Sequence, residues 1–151
     1  MEIRRRIKEN LKPTSTKFTG VYIARGILGT KRILTNEIEV IEHLTKRGFD
    51  IIYPEKVSVA EIQKRLWDAP LVINVEGSAH MHALHSMSLK GALLHLQPPF
   101  RFVDIEKGVF DSTGRIYGFY VCKPIHNNSF YLDNFSDFDK LIDLMRNACE
   151  K

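Results

Sequence analysis

The chain has 151 residues, 44% hydrophobic and 26% charged, with nine Gly and six Pro; this is the balance of one globular domain with an ordinary core and excludes a disordered, collagen-like or low-complexity chain. No window approaches the roughly 18 consecutive apolar residues that a membrane helix needs, so a soluble protein with at most peripheral membrane association is expected. The net charge of +4 is uneven, with 14 Lys and Arg against 9 Asp and Glu in residues 1–75 and 8 against 9 in residues 76–151.

In chain order, Glu2 to Leu11 suits a short helix, stopped by Lys12-Pro13 because proline biases its predecessor away from helical geometry. Arg4, Arg5, Arg6, Lys8 and Lys12 make this the densest basic cluster, with no apolar segment behind it to form a secretory signal. A solvated helix face, an anionic membrane surface, a nucleic acid or an upstream domain would each account for it. After a polar connector to Thr19, the run Val21 to Ala24 reads as a buried strand that delivers Arg25 at its C-terminal end. A loop with Gly26 and Gly29 leads to Arg32. Thr35 or Asn36 can cap a helix with Ile38, Ile41 and Leu44 at helical spacing, closed by Gly48.

Phe49 to Tyr53 is a second strand. Ser58 with Glu61 opens a second helix, carrying Val59, Ile62 and Leu66. Leu71 to Val75 is a third strand, and Glu76-Gly77-Ser78-Ala79 a tight turn into a helix through Leu84 and Met87. Ala92 to Leu96 is a fourth apolar run. Beyond Pro98-Pro99 the pattern predicts a hairpin at Ser112-Thr113-Gly114 into Ile116 to Cys122, then a helix Phe135 to Cys149 with Phe138, Leu141, Ile142 and Met145 on one stripe. Strands alternating with helices specify an α/β fold: a Rossmann-like three-layer domain with a mainly parallel sheet, preceded by an N-terminal helix and connector over residues 1–19. Cys122 and Cys149 are too few for a disulfide framework or a four-cysteine zinc site and read as buried thiols in a reducing, cytoplasmic setting.

In open α/β sheets ligands bind beyond the carboxyl ends of the strands. Arg25 and the Gly77-Ser78-Ala79 turn both map to that rim. Gly77 removes the Cβ that would block close approach, Ser78 and Ala79 offer backbone amides, and Arg25 and Arg32 add guanidinium forks suited to phosphate oxygens. Together they read as a diphosphate site; the plain alternative is a packing glycine with arginines in surface ion pairs. Either Arg25 and Arg32 meet at one sheet edge beside an accessible Gly77, or the reading fails.

The stretch from Val21 to Pro99 resembles the signature region of the family 61 glycosyltransferases. The resemblance lies in the order of its blocks: arginine after a strand, a second arginine, Asn36-Glu37 opening a helix, Gly48-Phe49, Pro54-Glu55, the Ser58 to Glu61 helix ending in Ala69, and a Gly-small turn after the third strand. It implies the C-terminal, donor-binding lobe of a GT-B-like enzyme that transfers a sugar with inversion from a nucleotide-diphosphate sugar, as in capsular-polysaccharide biosynthesis, with no cofactor besides that donor and a glycan as acceptor. Arg25 and Arg32 would then lie at the diphosphate, Asn36 and Glu37 would order the loop and helix start, Gly77, Ser78 and Ala79 would face the phosphates, and Glu55 would lie near the nucleotide's sugar or base.

Three departures qualify the transfer. Glu76 stands where the family's turn has histidine, Ile62-Gln63 where Gln-Ile is usual, and about 20 residues precede the first motif strand, too few for an acceptor lobe. A fragment, a separate acceptor lobe or a homo-oligomer would explain the last. Inverting transfer needs a base for the acceptor hydroxyl; Glu76 and His80 are the in-chain candidates, against a first-turn carboxylate and a helix-surface imidazole. His80, His82 and His85 lack a further acidic or thiol ligand at matching spacing, so no metal is expected. Asp137-Phe138-Asp139 is read as a helix start rather than a metal-nucleotide motif. Trp67, Phe49, Tyr53 and Phe102 are read as packing residues. A non-catalytic interaction module with a degenerate lobe is the alternative function. Nucleic-acid binding, without interleaved aromatics beside the basic cluster, is not expected.

Overall fold

The computed structural model describes residues 2–26, 32–103, 105–126 and 128–150. Its elements in order are α1 (Glu2–Leu11), β1 (Gly20–Ile23), β2 (Ile33–Leu34), α2 (Glu37–Lys46), β3 (Phe49–Ile52), α3 (Val59–Arg65), β4 (Leu71–Val75), α4 (His80–Ser86), β5 (Ala92–Gln97), α5 (Ile105–Ser112), β6 (Ile116–Val121), β7 (Lys123–Pro124), β8 (Ser129–Tyr131) and α6 (Phe135–Cys149), with a 3-10 turn at Pro54–Lys56. Five strands form a parallel sheet in the order β3-β1-β4-β5-β6. The protein is thus a Rossmann-like αβα domain.

The strands are apolar on both faces because helices cover both. Tyr22, Leu71, Ile73, Leu94 and Leu96 pack with Val40 and Leu44 of α2 and Phe138, Ile142 and Met145 of α6. On the opposite face Val21, Ile23, Ile52, Val72 and Leu93 meet Ile62 and Leu66, Leu84 of α4 and Phe110 of α5. From β1 the chain moves to one edge through α2, then returns past β1 to β4 and continues the other way. That reversal puts a crevice outside the carboxyl ends of β1 and β4.

Two sequence expectations are corrected. The hairpin at Ser112-Thr113-Gly114 is instead the end of α5: Gly114 has φ 72°, and the Arg115 N–H donates to Phe110 O at 3.0 Å, so the glycine closes a helix before β6 runs parallel to β5. A left-handed glycine serves hairpins and helix ends alike, which makes the two readings similar in sequence. Second, Asn36 occupies the cap position of α2 without capping it. Its side-chain amide donates to Leu132 O at 2.9 Å and its oxygen accepts from Leu132 N–H at 3.0 Å. That clamp ties α2 to a small sheet of order β2-β8-β7 that the residue pattern did not reveal.

Candidate functional site

At the reversal point a crevice of about 180 Å³ is lined by Arg25, Ser78, Ala79 and His82 over Ala24 and Val75. This is below the roughly 300–1,000 Å³ of a drug-sized ligand pocket, so it is scaled to a ligand fragment. Wider grooves of about 560 and 580 Å³ flank the connector and α1, away from the carboxyl ends of the strands.

Arg25 leaves β1 under tight control. Its backbone N–H donates to Glu37 Oε1 at 2.7 Å, and the buried Tyr22 hydroxyl donates to the same oxygen at 2.8 Å. Burial first and the Glu37 charge second push the Tyr22 pKa well up, so the phenol stays a donor. Glu37 therefore orders the chain immediately behind Arg25. Glu55, exposed on the 3-10 turn after β3, places its carboxylate against Gly26, where a Cβ would meet Oε2 at 2.7 Å.

Arg25 and Arg32 meet at Gly77. A Cβ built on Gly77 would lie 2.8 Å from Arg25 Nη1 and 3.0 Å from Arg32 Nη1, and Gly77 has φ 145°. Any other residue would be strained at that backbone angle, and its Cβ would push the two guanidinium groups aside. Against the expectation of an accessible Gly77, the glycine is itself buried, and the turn is exposed only from Ser78 onward. What covers it includes these two cations. Burial, and next the neighbouring Arg32 charge, lower the Arg25 pKa; an arginine so shifted stays charged.

Arg32 Nη1 donates to Glu76 O and to Glu76 Oε2, both at 2.6 Å, and Arg101 Nε lies 3.4 Å from the same carboxylate oxygen. Glu76 is only 1% exposed. Its carboxylate thus holds Arg32 in place rather than facing solvent. The histidine expected by resemblance at this position is replaced by an anchor for the second arginine.

Beyond Glu76, the Gly77, Ser78 and Ala79 N–H groups donate to no acceptor among the described residues. His80 Nδ1 lies 2.7 Å from Gly77 O and 3.8 Å from Glu106 Oε1. Its ring sits 5.6 Å from that of His95, which is fully buried and whose pKa burial, with His80 second, lowers to about 3. The Tyr117 hydroxyl is 3.1 Å from His95 Nδ1. His82, on the crevice wall, contacts Gln63 Nε2 through Nδ1 at 3.2 Å, while Gln63 Oε1 accepts from Ser86. The inverted Ile62-Gln63 pair therefore points its amide between α3 and α4.

Of the residues singled out in sequence, Arg25, Arg32, Glu76, Gly77, Ser78, Ala79 and His80 come together, Glu37 and Glu55 buttress Arg25 and Gly26, and the Asn36 side chain turns to the small sheet. Arg101 and His82 were not anticipated as site residues. Arg101 lies in an irregular segment with no motif, and His82 was weighed only for metal. Among the described residues no three His, Cys, Asp or Glu side chains could hold a metal ion, and no helix is long and apolar enough to cross a membrane.

Fold and crevice define a Rossmann-like α/β domain with arginines gathered at its strand-reversal point. The chain belongs to the glycosyltransferase 61 family, whose model matches residues 1–90. No curated protein matches it. Among solved structures, AibC is similar over 89% of this chain and 43% of its own, at 13% identity and a TM-score of 0.40. The 2R,3R-butanediol dehydrogenase from Bacillus subtilis is similar over 96% of this chain and 44% of its own, at 15% identity and a TM-score of 0.41. The chain thus spans less than half the length of these structures.

Proposed function

We propose that this domain binds the diphosphate of a nucleotide-sugar donor and acts in inverting glycosyl transfer to a glycan acceptor, as the donor-side lobe of a GT-B-like enzyme in polysaccharide or glycan biosynthesis. One observation carries the reading: two guanidinium groups meet above a glycine turn whose successive amides have no acceptor among the described residues. Fixed donors of this kind stabilise charge that develops on a leaving diphosphate without reorganising during the reaction. Family membership supports the glycosyl-transfer part.

In this reading Arg25 grips phosphate oxygens, Glu76 positions Arg32, and the amides after Gly77 complete the cradle. Glu76 is enclosed by its arginine partners, so the base that takes the acceptor proton is either His80 Nε2, which keeps its lone pair when Nδ1–H donates to Gly77 O, or a group on the acceptor side, on a further segment or another polypeptide. Calorimetric titration with nucleoside diphosphates tests the proposal. Binding is expected for diphosphates and not for the corresponding nucleosides, and Arg25→Ala is expected to weaken it by about 1.5–3 kcal/mol, the range for a charged hydrogen bond. Absence of heat at millimolar ligand with folded protein overturns the reading.

A non-catalytic module is the competing reading, because Glu76, one of the two in-chain base candidates, is enclosed in ion pairs with Arg32 and Arg101. Turnover of donor by the isolated chain eliminates it.

A further inference from the structure

His80 is a candidate base through Nε2, and the contacts of its Nδ1 describe a further task. A carbonyl oxygen only accepts, so the 2.7 Å contact with Gly77 O requires the proton on His80 Nδ1. The peptide between Gly77 and Ser78 is planar and trans, so fixing its carbonyl on one side fixes the Ser78 N–H on the other. Ser78 and Ala79 line the crevice there. The same device acts one peptide earlier, where Arg32 Nη1 holds Glu76 O at 2.6 Å and so turns the Gly77 N–H the opposite way. Two consecutive carbonyls are bound by side chains, and neither following amide meets an acceptor among the described residues. Ser78 is exposed, so its N–H is open to solvent rather than paired among the described residues, and a turn built this way suits an acceptor that arrives from outside the chain.

We propose that His80 is a positioning residue of the crevice: by donating Nδ1–H to Gly77 O it aims the Ser78 amide at an incoming phosphate oxygen. The inference rests on the diphosphate reading above and assigns to His80 a part in binding, through Nδ1. The surroundings support it. Glu106 Oε1 stands 3.8 Å from Nδ1, His95 backs the ring at 5.6 Å, and the His80 side chain is only 12% exposed, so the imidazole is held in place from several sides.

The test uses the full chain with inorganic pyrophosphate and with UDP, read by calorimetry and by the backbone amide resonance of Ser78. Two variants of equal shape separate the donor from the bulk. His80→Asn keeps an N–H at the same number of bonds from Cα, and His80→Leu does not. His80→Leu is expected to lose about tenfold in pyrophosphate affinity, the equivalent of one charged hydrogen bond, together with the ligand-induced Ser78 shift. His80→Asn is expected to stay within about threefold of the parent and to keep the shift. Parent-like affinity and Ser78 shift in folded His80→Leu would overturn the proposal, as would loss of both in folded His80→Asn. If His80→Leu does not fold, His80→Asn decides alone. Silence of the parent protein toward both probes instead overturns the diphosphate reading, and that result needs no variant.

Discussion

Arginines gather twice in this protein, on α1 and at the crevice, and the two groups are used in opposite ways. On α1, Arg5 pairs with Glu2 and Glu9 at 2.7 Å and Arg6 with Glu2 at 2.8 Å, all on one exposed helix. Arg4 alone reaches inward: it lies 4.1 Å over the Trp67 ring, donates to Ser86 O and Met87 O at 2.8 Å, and pairs with Asp68. At the crevice, Arg25 and Arg32 come from separate strand ends and close over a bare peptide turn. The density of charge along the sequence pointed to the first group. What marks the second is the backbone beneath it, where glycine lets both guanidinium groups approach the turn.

The largest effect expected from this contrast is at Glu76. Removing a buried partner leaves Arg32 as a largely buried, uncompensated charge beside Gly77, so Glu76→Ala should destabilise the fold by about 3–5 kcal/mol in urea denaturation. A loss under about 1 kcal/mol would mean that Arg32 is not anchored through Glu76, and the distinction between the two arginine groups would collapse. Arg4→Ala comes next, at about 2 kcal/mol, from one charged hydrogen-bond cluster and a cation–π contact. It should also speed proteolysis within residues 2–19, because Arg4 is the pin that docks α1 on the α3–α4 side.

The same contrast explains what could be read before the coordinates. Alternation of apolar runs with capped helices made the sheet legible through β5, since Ser58 accepts from the Glu61 N–H at 3.2 Å as its spacing predicts. Likewise the Asn134 side chain caps α6 by accepting from Asp137 N–H at 3.0 Å, which explains the Asp137-Phe138-Asp139 run as a helix start. Past Pro98 the β6 run and α6 were legible as well, but α5 was missed because it is short, holds Gly108 and ends on a glycine turn, the signals of a hairpin. Short strands β2, β7 and β8 carry too few residues to show a period. At the crevice, Arg25, Arg32 and Gly77 were legible because strand ends and glycines announce where they lie. The direction of Glu76 was not, since a carboxylate beside a turn expected to face phosphate is unfavourable until a cation from elsewhere in the chain neutralises it.

Acid should act differently on the two regions. At the crevice His95 is neutral in the fold, its pKa held down to about 3 by burial, against about 6.5 for an unfolded histidine. Burial also lowers the pKa of His82, with His85 second, and that of His85, with Arg115 second. Between these values the unfolded chain binds more protons than the folded one, so stability falls as pH falls below about 6.5. The slope from His95 alone approaches about 1.4 kcal/mol per pH unit. Urea midpoints from pH 7 to 5 should show it, and His95→Gln should flatten it. Glu2 on α1 has its pKa lowered by Arg5 first and Arg6 second; its pairing persists above the ordinary carboxylate range and is lost only as pH falls through that lower value. An identical slope in His95→Gln would show that crevice burial is not what the histidines sense.

The smallest effect is predicted for the double variant Arg5→Ala, Arg6→Ala. Both side chains are more than half exposed, and an exposed helical ion pair is screened by salt and offset by the entropy of holding two long side chains. The urea midpoint and the affinity for nucleoside diphosphates should therefore match the parent's. Electrophoretic mobility shifts with RNA and DNA at low and moderate salt complete the test, because a nucleic-acid role for α1 would appear as binding lost in this variant and weakened by salt. If the double variant instead lost nucleoside diphosphate affinity while remaining folded, charge on α1 would be acting on the crevice at long range, and the two arginine groups would have to be treated as one field.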